Sequence, residues 1–332
     1  MSGFRAVLAA EPEGPPGRLA TVDETDLPEG DVTVRVSWSS LNYKDGLAVT
    51  GKGRVVRSFP MVCGVDLAGT VEASDSPRFS PGDEVIVTGF GLGEERFGGF
   101  AELARVHSEW IVALPEALDA RRAMIVGTAG LTSMLCVMAL EHHGLTPAGT
   151  GGLPVVVTGA AGGVGSVAVA ILAGLGYDVA AVSGRSEQEE YLRRLGASTL
   201  VSRAELADAP PRPLDKERWA GGIDPVGGTT LAAVLRQIRY GGCVAACGLA
   251  GGADLPTTVH PFILRGVTLA GVESVRCPID VREVAWERLS RELSSELLED
   301  MAEEATLDDV PALAEEILAG RTRGRVVIAV RP

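Results

Sequence analysis

The chain has 332 residues and a formal net charge of −14, and 46% of its residues are hydrophobic and 22% charged. This length predicts two domains with a sizeable core, and the composition is that of a soluble globular protein. The negative charge argues against nucleic acids and anionic membranes as general partners. No apolar signal segment opens the sequence and no apolar run is expected to span a bilayer, so a cytoplasmic location is predicted. The five scattered cysteines are expected to be reduced thiols.

Residues 1–115 predict a small β-rich domain. Short apolar or alternating runs, separated by glycine and proline, predict strands at Phe4–Ala9, Val32–Ser37, Val65–Glu72, Glu84–Thr88 and Ala101–Val106. Such a series of short strands is typical of a barrel-like domain. The periodicity becomes helical beyond Leu118, and Ala129–His143 is predicted to be a helix that links this domain to the next.

The densest polar group of this first domain is Asn42-Tyr43-Lys44-Asp45, which follows the strand that ends near Ser40. The phenol of Tyr43 is a proton donor at neutral pH, and Asn42 can donate a hydrogen bond to a carbonyl oxygen. Asp45 is predicted to orient Tyr43 or Lys44. The alternative is a turn in which Asn42 and Asp45 cap backbone groups.

The stretch Leu153–Leu175 predicts the start of a nucleotide-binding βαβ unit. An apolar β-branched strand leads into a glycine turn, and a helix of small apolar residues follows. Gly159 permits the tight turn, Gly162 lets the backbone approach a pyrophosphate, and Gly165 lets the helix lie close to the strand. The helix N-terminus offers free N–H groups to phosphates. The predicted cofactor contacts in this turn are Gly159, Ala160, Ala161, Gly162, Gly163 and Val164.

The end of the second predicted strand, Val179–Ser183, indicates which dinucleotide binds. An NAD site usually carries a carboxylate here to hold the ribose 2′-hydroxyl, whereas this chain reads Ser183-Gly184-Arg185. A hydroxyl and a guanidinium bind a 2′-phosphate through charge-assisted hydrogen bonds, so NADPH is the predicted cofactor. Arg203, after the next strand, is predicted to reach the same adenosine end. The alternative for both arginines is a solvated surface side chain.

Strand and helix patterns alternate through the rest of this region. Further strands are predicted at Thr199–Ser202, Gly222–Pro225, Cys243–Gly248 and Thr268–Val272, and further helices at Gln188–Leu195 and Thr229–Ile238. This alternation predicts an α/β fold with a Rossmann-type doubly wound parallel sheet.

The C-terminal part of the chain predicts a charged surface helix at Val281–Glu299, a helix at Val310–Leu318 and a last strand at Arg325–Val330. This strand comes after the cofactor-binding region, so we expect it to rejoin the sheet of the first domain. The predicted domains are residues 1–125 with 300–332, which form the β-rich catalytic domain, and residues 126–299, which bind the cofactor.

Several motifs together resemble the medium-chain dehydrogenase/reductase superfamily. They are Leu41–Asp45, Gly127-Thr128-Ala129-Gly130, the dinucleotide turn and Asp224-Pro225-Val226-Gly227-Gly228. Further motifs, at Cys247–Gly252 and Pro261–Arg265, resemble the acrylyl-CoA reductase branch, much of which is described as putative quinone oxidoreductase. The resemblance implies a GroES-like catalytic domain, NADPH, reduction of acrylyl-CoA to propionyl-CoA, and a homodimer. It also implies that Tyr43, Thr128, Leu249, Ile263 and Ser274 contact the cofactor.

One departure from the wider superfamily bears on the chemistry. Zinc alcohol dehydrogenases carry Gly-His-Glu where this chain has Gly64-Val65-Asp66, and they also carry a cluster of four cysteines that this sequence lacks. No set of Cys and His has zinc spacing, so we expect no metal. An alkene conjugated to a thioester or quinone carbonyl needs less polarisation than a ketone, and it is the expected substrate class.

The loop from Gly51 to Arg57 carries Lys52, Arg54 and Arg57 and no acidic residue. We expect these three side chains to contact the phosphates of coenzyme A or to close over the bound cofactor. The alternative is a solvated basic loop.

The sequence therefore predicts an NADPH-dependent, zinc-independent reductase of a short enoyl-CoA. An NADPH:quinone oxidoreductase of the same fold and a non-catalytic NADPH-binding sensor are the alternatives. A homodimer is predicted to form by pairing of the sheet edge near Thr268–Val272 across a two-fold axis.

Overall fold

The computed structural model describes residues 3–11, 16–208 and 212–331, and the chain divides into two compact units. Unit 1 comprises Met1–Thr128, Ser274–Arg291 and Leu298–Pro332, and unit 2 comprises Ala129–Glu273 and Glu292–Leu297. The strands are β1 (Gly3–Ala9), β2 (Arg18–Asp23), β3 (Val32–Leu41), β4 (Met61–Val62), β5 (Asp66–Ser74), β6 (Glu84–Thr88), β7 (Leu103–Val106), β8 (Val112–Ala113), β9 (Val155–Val157), β10 (Val179–Ser183), β11 (Thr199–Ser202), β12 (Gly221–Asp224), β13 (Cys243–Ala246), β14 (Thr268–Gly271), β15 (Ala302–Thr306) and β16 (Arg325–Ala329). The helices are α1 (Tyr43–Thr50), α2 (Ala120–His142), α3 (Gly163–Gly174), α4 (Glu189–Arg194), α5 (Arg203–Ala207), α6 (Gly228–Gln237), α7 (His260–Arg265), α8 (Ile279–Glu292), α9 (Ser295–Met301) and α10 (Val310–Leu318).

Unit 1 is organised around strand β3 of a seven-stranded sheet. The strand order is β15-β16-β3-β5-β6-β8, and β7 also pairs with β3. The first half of β3 alternates, with Val32, Val34 and Val36 buried in the core, as expected for a strand with one apolar face. Its last residues, Ser39 and Ser40 among them, are all buried, so two hydroxyl groups lie inside the unit. Buried polar groups need hydrogen-bond partners, and those partners form the site described below.

The last strand joins this sheet, which confirms the prediction for Arg325–Val330. β16 pairs antiparallel with β3 and sets Val326 opposite Leu41. The sequence does not predict β15, which pairs parallel with β16. Its residues Ala302–Thr306 read Ala-Glu-Glu-Ala-Thr, and alanine and glutamate favour helix. Pairing with β16 therefore overrides the local preference.

Unit 2 contains a six-stranded parallel sheet in the order β11-β10-β9-β12-β13-β14. This order confirms the predicted Rossmann-type doubly wound sheet. The chain order reverses between β9 and β12, and in such sheets ligands bind beyond the carboxyl ends of the strands at that point. The short strand Val155–Val157 is buried throughout, which explains its continuous apolar run. β14 is one edge of the sheet.

Helix α2 is long, apolar and bent. It begins at Ala120, earlier than the predicted Ala129, and the backbone at Gly127 is non-helical with φ 51° and ψ −159°. An 18-residue window of α2 has a mean hydropathy of 1.9, so the prediction that no apolar run could span a bilayer is wrong for this helix by length and composition. That window is 78% buried inside the fold, which is typical of a core helix.

The segment predicted as one surface helix, Val281–Glu299, forms the two helices α8 and α9. α8 lies at the surface as predicted but buries one face, which contains Arg282 and Trp286, while Glu283 and Val284 on the other face are exposed. It groups with unit 1 up to Arg291, although it lies within the residues predicted for the cofactor domain. The predicted limits of the functional domains, 125/126 and 299/300, stay predictions.

Candidate active site

Helix α1 begins directly after β3, and its first turn carries the polar group that the sequence singled out. Asn42 has an extended backbone (φ −115°, ψ 162°) and is the N-cap residue. The Asp45 carboxylate accepts the backbone N–H of Asn42 at 2.8 Å, which is half of a capping box. The helix ends at Gly51, whose φ of 68° is left-handed. Asp45 therefore caps a backbone group, which is the alternative expected for it from the sequence. The capped group lies at the start of a helix and not in a turn.

The members of this group have different surroundings. Tyr43 is 45% exposed, and its phenol has no hydrogen-bond partner among the residues that the structure describes. Lys44 forms an ion pair with Glu94 at 2.8 Å. Asp45 is fully buried and accepts the N–H of Val65 at 2.9 Å, in addition to its bonds with Asn42. Asp45 thus does not orient Tyr43 or Lys44 by direct contact, as expected from sequence, but holds the backbone that carries both.

A second buried carboxylate, Asp66, joins the ends of three elements. It opens β5 and accepts hydrogen bonds from Ser40 Oγ at 2.6 Å and from Asn42 Nδ2 at 2.8 Å. Thr128, in α2, donates to it twice, from its backbone N at 2.9 Å and from its hydroxyl at 2.5 Å. Four donors therefore converge on one buried carboxylate, which stabilises its charge.

Arg325 completes this cluster from the last strand. It is 2% exposed, and it donates from Nη2 to Ser40 Oγ at 2.8 Å and from Nη1 to Asn42 Oδ1 at 3.2 Å. The Asn42 amide oxygen thus faces a cation while its nitrogen faces Asp66 at 2.8 Å and Asp45 at 3.2 Å. The amide of Asn42 is engaged on both sides, so it links the buried charges to helix α1 instead of offering the free donor expected from sequence.

Gly127 lies against the same cluster, and no other residue fits there. A Cβ atom at this position would lie 2.7 Å from Asp66 Oδ2 and from Ser40 Oγ, and 2.8 Å from Arg325 Nη2. Its positive φ of 51° is also unfavourable for residues with a side chain. The bend in α2 therefore lets the chain pass close to the buried charges and brings Thr128 to Asp66.

The surroundings of Asp45 change the protonation of its carboxyl group. Burial and, to a smaller extent, the charge of Asp66 raise the pKa of Asp45 to about 7, against the opposing effect of hydrogen bonds from Asn42 and Val65. Burial also raises the pKa of the neighbouring Cys63 thiol to about 12, which makes that cysteine unreactive. Asp45 is therefore a group that exchanges its proton near neutral pH.

Sequence reasoning missed Ser40, Asp66 and Arg325. Asp66 was noticed only as a departure from a zinc motif, and Arg325 only as the first residue of a strand. An available signal was an arginine opening the otherwise apolar run Val326–Ala329, because a charged residue in a buried strand requires a partner.

The basic loop is largely neutralised by acidic residues of unit 1. Lys52 pairs with Glu315, and Arg57 pairs with Glu95 at 3.3 Å. Arg54 is exposed and has no ion pair among the described residues. Of the three cations expected to be available for a ligand, only Arg54 has no ion pair among the described residues.

In unit 2, the glycine turn has the geometry that its sequence predicts. Gly159 has φ 55°, and helix α3 starts at Gly163 with Gly162 as an extended N-cap. A Cβ on Gly165 would lie 2.3 Å from Gly159 O, so the first turn of the helix packs directly on the strand end. The turn contains Ala160 and Ala161, both buried, and leads into Val164 of the helix.

The two predicted arginines meet at the end of β10. Ser183 Oγ and the backbone of Arg185 exchange hydrogen bonds at 3.1 and 3.3 Å. A Cβ on Gly184 would lie 2.4 Å from Arg203 Nη2, so the Arg203 guanidinium lies against this glycine. Arg185 also donates from Nη2 to Ala161 O at 3.4 Å, which joins this corner to the glycine turn. Two guanidinium groups and a hydroxyl therefore lie together at one strand end.

Asp224 connects the carboxyl ends of three strands in this unit. Its carboxylate accepts from Thr158 Oγ1 at 2.5 Å and from Gly227 N at 2.6 Å, and its carbonyl accepts from Cys247 N at 3.0 Å. Burial raises the pKa of this carboxyl group. Asp224 thus fixes the turn Pro225–Gly228 against the turn that follows β13.

The remaining predicted cofactor residues lie in both units. Leu249 and Ile263 are exposed residues of unit 2, in the turn after β13 and in α7. Ser274 and Thr128 belong to unit 1. Their contacts with a cofactor stay predictions.

No three His, Cys, Asp or Glu side chains cluster as metal ligands within residues 3–11, 16–208 and 212–331. Asp66, at the position of the zinc motif, instead has its oxygens occupied by Ser40, Asn42 and Thr128.

A sheet of Rossmann order with a glycine turn, joined to a β-rich unit with a buried polar cluster, defines a nucleotide-dependent dehydrogenase or reductase. The sequence matches the alcohol dehydrogenase GroES-like domain family over residues 28–116 and the zinc-binding dehydrogenase family over residues 163–291. The chain belongs to the medium-chain dehydrogenase/reductase superfamily.

Its similarity to individual relatives extends from end to end. The chain is 55% identical to a probable acrylyl-CoA reductase, AcuI, of Escherichia coli, over 98% of this chain and 100% of that protein. It is 56% identical to the acrylyl-CoA reductase AcuI of Ruegeria pomeroyi over 92% of both chains, and 47% identical to the putative quinone oxidoreductase YhfP of Bacillus subtilis over 93% of both. The solved structure of E. coli YhdH with bound NADPH has a TM-score of 0.95 and 55% identity, covering 98% of this chain and 100% of that one.

Proposed function

We propose that this protein reduces the C=C bond of a short 2-enoyl-CoA with NADPH, converting acrylyl-CoA to propionyl-CoA. The observation that carries this proposal is the 55% identity to a probable acrylyl-CoA reductase over 98% of the chain. The nucleotide turn of unit 2 supports it, since the reaction needs a dinucleotide site, and the buried polar cluster of unit 1 holds the helix that carries Tyr43.

The residues of unit 2 fit NADPH. Gly165 packs closely on Gly159, and the turn between them carries no side chain larger than valine, so its backbone can come close to a pyrophosphate. Arg185, Arg203 and the Ser183 hydroxyl would hold the 2′-phosphate, because two guanidinium groups attract a dianion that a carboxylate would repel. No acidic residue occupies this corner, Ser183-Gly184-Arg185-Ser186, in the sequence.

NADPH, when bound, supplies the hydride for the β-carbon of the substrate. The electron pair of the C=C bond then forms a double bond between the α-carbon and the carbonyl carbon, the carbonyl π pair moves onto the oxygen to give an enolate, and a proton finally adds at the α-carbon. Tyr43 is the proposed proton donor, because its phenol is exposed and carries no other hydrogen bond in the described chain. Asn42 and Asp45 hold the start of helix α1, and so determine where Tyr43 projects.

The coenzyme A part of the substrate is proposed to bind near the basic loop. Arg54 is the proposed phosphate contact, since its charge is uncommitted. Lys52 and Arg57 would have to exchange Glu315 and Glu95 for phosphate oxygens. Both pairs are solvent-exposed and therefore weak, so a phosphate dianion can compete for them.

An NADPH:quinone oxidoreductase is the second candidate, favoured by the 47% identity to the putative quinone oxidoreductase YhfP. A quinone needs the same hydride but no phosphate contact. The same assay also decides whether the protein is an NADPH-binding sensor without turnover.

The test follows the loss of NADPH absorbance with acrylyl-CoA, crotonyl-CoA and a small quinone, each with and without a chelator. We expect turnover of acrylyl-CoA to be fastest and insensitive to the chelator. Turnover of the quinone alone would establish the second candidate. Tight NADPH binding without any turnover would establish the sensor.

We also propose a homodimer and a cytoplasmic location. Among the described residues, β14 pairs on one side only, and the nearby Tyr240 and Leu264 are exposed apolar side chains, which supports pairing with a second copy. All five cysteines are free thiols, as is typical of a reducing compartment. Light scattering that detects only monomer at micromolar concentration would refute the proposed homodimer.

A further inference from the structure

We propose that Arg282 is a positioning residue for the nicotinamide half of NADPH, because it fixes the segment Ser274–Cys277 to the end of strand β6. The inference rests on the proposed use of NADPH. Arg282 projects from α8, and its side chain is fully buried. A buried guanidinium must satisfy its donors within the protein, so its partners reveal what it holds in place.

The segment Ser274–Cys277 continues from the carboxyl end of a strand in the cofactor sheet. β14 ends at Gly271, the N–H of Val272 still donates to Ala246 O at 2.9 Å, and the chain enters unit 1 at Ser274. From Val272 to Pro278 the chain is neither strand nor helix. Such segments line the dinucleotide site in doubly wound sheets, and β12–β14 form the half opposite the one with the glycine turn. That half receives the nicotinamide mononucleotide.

The Arg282 guanidinium bridges this segment and the end of β6. Nη2 donates to Ser274 O at 2.7 Å and to Val275 O at 3.3 Å. Nη1 donates to the carbonyl and the hydroxyl of Thr88 at 2.8 and 2.7 Å. Within the described part of the chain, the segment has no regular backbone hydrogen bonds to β6. The planar guanidinium of Arg282 instead binds carbonyl groups on both sides and holds them together.

The other contacts of the segment leave it little freedom. The N–H of Phe90 donates to Val275 O at 2.9 Å, and the Arg282 Cζ lies 4.4 Å from the centroid of the Phe90 ring. A Cβ atom on Gly89 would lie 3.0 Å from both Cα and O of Val275. The segment thus packs directly on the backbone that follows β6.

The same strand end supports the buried carboxylates. Thr88 lies opposite Asp66 in the β5–β6 ladder, and the N–H of Gly89 donates to Val65 O at 3.0 Å. Within unit 1, Arg282 therefore connects the segment Ser274–Cys277 with β6, the strand that pairs with the one carrying Asp66. Arg282 therefore acts by positioning this segment. Such positioning matters because a shift of about 1 Å in a supporting segment can lower a rate by orders of magnitude.

The experiment compares full-length wild type with Arg282→Lys, Arg282→Met and a matched control, Arg291→Met. Arg291 is on the same helix, and its ion pair with Glu287, at 3.5 Å, is exposed. Calorimetry measures the Kd of NADPH and, separately, of adenosine 2′,5′-bisphosphate, which binds only through the adenosine end. Arg282→Lys keeps the charge but lacks the planar fork, and it is the decisive variant.

We expect Arg282→Lys to weaken NADPH binding about tenfold and to change bisphosphate binding by less than about twofold. Arg282→Met is expected to weaken NADPH further, and Arg291→Met to leave both constants unchanged. An unchanged NADPH Kd in folded Arg282→Lys would overturn the inference. Equal losses for both ligands would also overturn it, because they would indicate damage to the whole fold. Binding needs no enoyl-CoA, so a protein that binds NADPH without reducing acrylyl-CoA would refute the proposed function and leave this test intact.

Discussion

The buried carboxyl group of Asp45 leads to a prediction about stability and pH. Its pKa is about 7 in the folded protein, compared with 3.8 for the free side chain, because burial and the charge of Asp66 disfavour the ionised form. The folded state therefore binds this proton more tightly than the unfolded state. The stabilisation is fully present below about pH 4 and is lost as the pH rises through about 7.

The magnitude follows from the difference of about three pH units between the two values. At about 1.4 kcal/mol for each unit, protonation of Asp45 contributes about 4 kcal/mol to the free energy of unfolding at low pH. Between pH 5 and pH 8 the lost part is about 2 to 3 kcal/mol. The variant Asp45→Asn has no titrating group here and should lack this part of the pH dependence.

The assay is urea unfolding of wild type and Asp45→Asn at pH 5 and pH 8, followed by tryptophan fluorescence. Three of the four tryptophans, Trp38, Trp110 and Trp286, lie in unit 1, so the signal reports mainly on the unit that contains Asp45. The unfolding free energy of the variant, taken relative to that of wild type, should rise by about 2 to 3 kcal/mol from pH 5 to pH 8. The exposed Asp26→Asn serves as the control and should show no such gain. A difference between wild type and Asp45→Asn that is equal at both pH values would refute the reasoning.

Three further predictions test other parts of the proposed sites. Arg185→Ala should raise the KM for NADPH by about tenfold or more and change that for NADH little, because a charge-assisted bond to the 2′-phosphate is lost; equal changes for both cofactors would contradict this role. Gly127→Ala should lower the free energy of unfolding by about 2 kcal/mol or more, since the new Cβ meets Asp66 and Ser40 at a positive φ, and urea unfolding with an unchanged midpoint would rule out the proposed crowding. Arg54→Glu should raise the KM for acrylyl-CoA severalfold with an unchanged Kd for NADPH, and an unaffected KM would leave the loop as a solvated surface.

The candidate site shows how far sequence reasoning reaches. It identified Asn42, Tyr43 and Asp45 because polar residues of unusual density follow a strand. It misjudged their contacts, since Asp45 bonds to Asn42 and Val65, and the amide of Asn42 is taken up by Asp66 and Arg325. These partners come from other elements, and no local pattern specifies them.

The same distinction holds for the fold. By itself the sequence determined the Rossmann-type sheet and its glycine turn, because apolar runs, glycine positions and turn residues act on their near neighbours in the chain. Only the tertiary structure decided that β15 is a strand, that α8 buries the face with Arg282 and Trp286, and that Arg325 reaches Asn42 from 283 positions away. The physical reason is that a buried charge or an edge strand becomes stable only through partners distant in sequence, which the packing of the whole unit brings together.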